Sequence, residues 1–113
     1  MKEKQFAILV DPATGFKVVK KEDDKDFLTF AQEQVGGYVE SVPLQLFKRQ
    51  GIHTRMLVDE DGRMKGLPLN LWASFLIDRA IVGPALIFDL DAEGHLFTEE
   101  DANEIIMVLM LKR

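Results

Sequence analysis

Short apolar runs, each cut off by a glycine, proline or aspartate cluster, constrain this chain more than any other feature. Asp11-Pro12-Ala13-Thr14-Gly15 closes the run Phe6 to Val10, and Gly36-Gly37, Asp59-Glu60-Asp61-Gly62, Gly66-Leu67-Pro68 and Gly83-Pro84 break the chain again. Glycine supplies positive φ and proline removes a backbone donor, so elements cannot run through such clusters. Long helices and repeats are thereby excluded. No apolar stretch reaches the roughly 20 residues of a membrane-spanning helix, and none at the N-terminus has the length of a signal peptide.

Between the breaks, the apolar period identifies the elements. Phe6 to Val10 and Phe16 to Lys20 flank the Asp11–Gly15 turn as a β-hairpin. Glu22-Asp23-Asp24 offers N-caps for a helix with Phe27, Leu28, Ala31 and Val35 on one face, stopped by Gly36-Gly37. Tyr38 to Phe47 alternates as a strand, and Pro43 places it at a sheet edge. Thr54 to Val58 is a further strand, with Arg63 to Lys65 as a brief return partner beyond the acidic turn. Asn70 caps a helix on which Leu71, Trp72, Phe75, Leu76 and Arg79 follow helical spacing, with Trp72 in the core. Ile81-Val82 and Ala85 to Phe88 are strand-like on either side of a bulge or bend at Gly83-Pro84. Thr98 caps a last helix whose first turn carries Glu99, Glu100 and Asp101 and whose end carries Lys112 and Arg113. The resulting order, ββαββαβα, lacks regular βαβ units. It predicts an α+β fold with a mostly antiparallel sheet and three helices, in one domain over residues 1–113.

Several chemistries drop out at once. With no cysteine, thiol catalysis, zinc–thiolate and iron–sulfur sites are impossible, and a disulfide framework is excluded. A cytoplasmic protein is expected. The net charge of −5 disfavours nucleic acid, because neutralising phosphates takes clustered Lys and Arg. The nearest basic group, Lys48, Arg49, His53 and Arg55, is expected to be a solvated turn. Ser41 and Ser74 lie in no nucleophile elbow, and His53 and His95 have no second ligand at helical spacing. Glu40 and Asp59 form a carboxylate pair only if the strand register puts them on one face. No catalytic residue, cofactor or binding residue is therefore assigned. An enzyme working through carboxylates is the alternative to a binding protein, and a concave pocket holding Glu40 or Asp59 beside a perturbed acid would favour it.

The segment from Asp89 to Glu100 imitates a calcium loop. Asp89, Asp91 and Glu93 stand at positions 1, 3 and 5, Gly94 at 6, Leu96 at 8 and Glu100 at 12. An EF-hand loop needs a helix before it, whereas Ile81 to Phe88 is β-branched and broken. No calcium and no other metal is expected.

Two further expectations concern context and association. Ile105 to Leu111 is apolar at every position, so a helix there is apolar all round. With Ile105, Val108, Leu109 and Lys112 as the buried stripe, Ile106, Met107, Met110 and Leu111 would face water, which predicts a homodimer through this helix. The stretches VGGYVESVPL (Val35 to Leu44), VDEDGRMKGLPLN (Val58 to Asn70) and IVGPALIF (Ile81 to Phe88) together resemble a small family of unknown function carried by bacteriophages, plasmids and integrative elements. The resemblance spans roughly residues 30 to 100. It implies an accessory or regulatory protein of a mobile element that binds a host or phage protein, or a small ligand; the lack of a long apolar stretch adds the expectation of no membrane partner.

Overall fold

A computed structural model describes residues 3–44, 54–90 and 93–111. Its elements are β1 (Phe6–Asp11), β2 (Gly15–Lys20), α1 (Phe27–Val35), β3 (Val39–Pro43), β4 (Thr54–Asp59), α2 (Leu71–Ile77), β5 (Ala85–Asp89) and α3 (Glu99–Leu111). The order is the expected ββαββαβα. All strand pairs are antiparallel, in one sheet ordered β2-β1-β5-β4-β3. The fold is α+β.

Strand β5 sits at the centre because it is apolar on both faces: Ala85, Leu86, Ile87 and Phe88 are all buried. Its even-numbered residues join Ala7, Leu57, Phe30, Ala31 and Val35 beneath α1. Its odd-numbered residues join Ile8, Val10, Met56, Val58 and the inner sides of α2 and α3. The sheet is thus covered by α1 on one face and by α2 and α3 on the other. Pro43 ends β3, an edge strand, where its missing N–H breaks no ladder bond.

Local chemistry sets the ends of the elements. Asp11 Oδ1 accepts the N–H groups of Ala13 and Thr14 at 2.8 and 3.1 Å, which folds the hairpin turn. Gly36 terminates α1 at φ 93°, a left-handed conformation that a side chain would strain. Thr98 Oγ1 accepts the Asp101 N–H at 3.1 Å and opens α3.

Four expectations need correction. The cap of α1 is Asp26, which accepts the Thr29 N–H at 2.8 Å; Glu22, Asp23 and Asp24 lie too far ahead of the first apolar turn. Arg63 to Lys65 forms no strand. The Lys65 N–H bonds to Asp61 O and the Leu67 N–H to Gly62 O, which coils the segment into turns. Leu71 and Phe75, four residues apart on α2, face outward, because the anchored Asn70 rotates Trp72, Ala73, Leu76 and Ile77 onto the core. On α3 the buried stripe is Ala102, Ile105, Ile106 and Leu109, at helical spacing. Ile106 is therefore inside and Val108 outside, the reverse of the expectation. Residues 45–47 of the expected Tyr38–Phe47 strand, the basic residues Lys48, Arg49 and His53, and the terminal Lys112 and Arg113 lie outside the described residues. Arg55 is exposed on β4.

Candidate functional site

Among the described residues, clefts open at opposite ends of the sheet. The first lies where the three family-like stretches meet. Asn70 joins two of them: its backbone N–H bonds to Ile81 O at 2.7 Å, and its side-chain amide donates to Gly83 O at 2.9 Å and to Val10 O at 2.8 Å. The third enters through Gly36 and Gly37, which lie against an ion pair between Asp59 and Lys65 at 2.7 Å. A Cβ on Gly37 would come within 2.9 Å of the Asp59 carboxylate, so a side chain there would have to displace the ion pair. The Glu60 N–H to Tyr38 O bond closes the group. Caps and close backbone contacts thus account for the glycine, asparagine and aspartate positions at this junction.

A cleft of about 340 Å³ borders this junction, lined by Glu40, Asp59, Glu60, Arg63 and Arg79 among others. The expected carboxylate pair does not form there. The register Val39↔Asp59 and Glu40↔Val58 makes Glu40 and Asp59 diagonal neighbours, and alternation sends their side chains to opposite faces. Glu40 is exposed and lies 3.9 Å from Arg79. The Asp59 side chain is only 1% exposed. Burial pushes its carboxyl pKa up, but the Lys65 ammonium and the Asp61 N–H at 2.8 Å outweigh that and hold it below the ordinary value.

The second cleft, about 440 Å³, lies between α3 and the open end of the sheet. Antiparallel pairing puts Thr54 opposite Asp89, where β4 begins and β5 ends. The loop carrying His95, Leu96 and Phe97 is tied to the other side of the cleft. The Leu96 N–H donates to Lys4 O at 2.8 Å, and Phe6 and Phe97 exchange both backbone bonds at 2.9 and 3.0 Å. Phe97 points into the α3-side core and Leu96 into the other. From α3, Asp101, Glu104, Ile105, Met107, Val108 and Leu111 complete the wall. Thr54 is buried, yet its hydroxyl has no hydrogen-bond partner among the described residues. Such an orphan costs about 1–3 kcal/mol and calls for a reason. Nothing local in the sequence singles out this site. Thr54, Asp89, Lys4 and α3 converge only through the topology.

The calcium-like segment begins inside β5 and contributes Asp89 and His95 to this wall. The preceding element is a strand, so the helix–loop–helix frame of an EF-hand is absent. His95 Nδ1 lies 3.5 Å from the Glu93 carboxylate. Among the described residues no group of three His, Asp or Glu could hold a metal ion, and no helix is long and apolar enough to cross a membrane.

Fold and clefts together define a small antiparallel α+β domain with a mixed apolar and acidic pocket under its last helix. The chain belongs to the family described as Domain of unknown function (DUF3846), which matches residues 1–109. That match takes in the N-terminal hairpin and nearly all of α3, well beyond the residue 30 to 100 span of the resemblance. No curated protein and no solved structure matches the chain.

Proposed function

We propose that this chain is a non-enzymatic binding protein that takes up a small ligand in the cleft beneath α3, as an accessory or regulatory protein of a phage or other mobile element. The observation that carries the reading is the cleft itself. Its roughly 440 Å³ and its wall of Leu96, Phe97, Ile105, Val108 and Leu111, with a few polar groups converging, have the size and character of small-molecule sites. The mobile-element setting rests on the three family-like stretches. Carboxylate catalysis at the other cleft has less support. Asp59 is ionised, buried and paired, so near neutral pH it has no proton to donate and is a poor base.

A fragment library screened by two-dimensional NMR tests the proposal. Binders should shift the amides of Thr54, Leu96 and Val108, and Val108→Trp should abolish those shifts by filling the cleft. Hits that map to the Glu40–Arg79 end, or no hits at all, would remove the basis for the reading.

A further inference from the structure

We infer that the outer flank of α3 is an interface for a second copy of this chain, packed antiparallel about a two-fold axis near Met107, and that this copy and a cleft ligand exclude each other. The self-association stands on the helix alone, whereas the exclusion rests on the cleft reading above. Met107, Val108, Met110 and Leu111 stay exposed on α3, while Ala102, Ile105, Ile106 and Leu109 turn to the sheet. Asn103, Met107, Met110 and Leu111 recur at steps of three and four residues. They therefore form one continuous stripe along the helix rather than scattered exposures.

Charge selects the occupant and its direction. Glu99, Glu100, Asp101 and Glu104 crowd the first half of α3, and no charged side chain occurs from Ile105 to Leu111. Lys112 and Arg113 follow directly in sequence. A stripe with an acidic head, an apolar body and a basic end is complementary to itself only when reversed. Met107 stands six positions after Asp101 and six before Arg113. A two-fold axis there brings each acidic half toward the partner's basic end, whereas parallel packing sets acid against acid. Such an isologous contact also closes on itself and leaves nothing to propagate. The exclusion follows from shared side chains. Met107, Val108 and Leu111 line the cleft as well as the stripe, and Met110 belongs to the stripe only. A copy that buries them closes the rim, and a ligand in the cleft denies them to the copy. By reciprocity each weakens the other by the same factor.

Sedimentation equilibrium of the full chain at micromolar to submillimolar concentration and low salt tests both halves, with 1-octanol as the apolar probe of the cleft. The wild type should be a dimer. Octanol at about three times its Kd for the monomer should raise the dimer dissociation constant about 16-fold, a factor of about four for each copy. Met110→Glu should weaken the dimer at least about tenfold, yet leave octanol free to shift the Val108 amide, because Met110 lies outside the cleft wall. Asp101→Lys with Glu104→Lys should also weaken the dimer. Adding Lys112→Glu and Arg113→Glu should restore it, which damage to the fold could not do. A wild-type monomer throughout the range overturns the interface. A dimer that octanol leaves unchanged, or octanol that fails to move Val108 in Met110→Glu, overturns the exclusion. A charge swap that does not restore association overturns the antiparallel direction. None of these results touches the cleft reading, which falls only with the fragment screen.

Discussion

Replacing Asn70 tests whether one buried amide joins α2 to the sheet. Asn70 is fully buried, and its side chain makes three bonds: Oδ1 accepts the Ala73 N–H at 3.1 Å, and Nδ2 donates to Val10 O and Gly83 O. Asn70→Ala removes the helix cap, at about 1 kcal/mol. It also strips a donor from two buried carbonyls, where each unsatisfied group costs about 1–3 kcal/mol. Allowing for partial relaxation, the loss should be about 2–4 kcal/mol, a large share of the 5–15 kcal/mol typical of a domain. With a urea slope near 1.5 kcal/mol per molar, the unfolding midpoint should fall by roughly 2 M. Asn70→Asp separates capping from bridging. Aspartate caps a helix as well as asparagine does, yet it sets a carboxylate against two carbonyl oxygens. At pH 7 it should be at least as damaging as alanine. Those oxygens and burial would raise the pKa of the introduced carboxyl above its unfolded value, so the deficit should shrink as pH falls through the folded pKa. If Asn70→Asp matches the wild type at neutral pH, the side chain acts only as a cap and the bridging account is wrong.

Three shorter predictions accompany it. Asp59 has a lowered folded pKa, so its contribution is present above the unfolded value of about 3.9 and lost as pH falls through the folded one. Asp59→Asn should cost about 2 kcal/mol at pH 7 by urea unfolding, with the gap to wild type closing below about pH 4; a pH-independent gap would contradict the ion pair. Calcium should neither stabilise the chain nor change Trp72 fluorescence. A saturable gain lost in Asp89→Ala, about 2.7 kcal/mol at 100 times the Kd, would show that the Asp89–Glu100 segment binds it after all. Met107, Val108, Met110 and Leu111 remain exposed on α3, at 65%, 38%, 51% and 82%. Each is worth roughly 1.5–3 kcal/mol if fully buried, so we expect a homodimer through this helix, an arrangement that competes with ligand binding because Met107, Val108 and Leu111 also line the cleft. Light scattering at micromolar concentration should give a dimer mass that Met107→Glu with Leu111→Glu halves, and a wild-type monomer would end the idea.

What the sequence disclosed depended on how far each determinant acts along the chain. The Asp11 turn, the Gly36 stop, the Asn70 and Thr98 caps and the edge position of Pro43 are each decided within a few residues, and each was legible. Even there the cap of α1 was misplaced, because Asp23, Asp24 and Asp26 offer the same chemistry and only the first buried turn chooses among them. Register is different in kind. Shifting the β3–β4 pairing by one residue would reverse which of Glu40 and Val39 shares a face with Val58, and no local preference decides it. The face of α3 was equally hidden. A segment apolar at every position has no preferred inward side, and contact with β1 and β2 selects Ile106 over Val108. The cleft combines both difficulties: the β4–β5 register brings Thr54 to Asp89, and the rotation of α3 aims Asp101, Glu104, Val108 and Leu111 at them. The two features that went unread in the sequence are therefore the ones that build the candidate site. The sign that marks it, an orphaned hydroxyl on Thr54, exists only once the chain is folded.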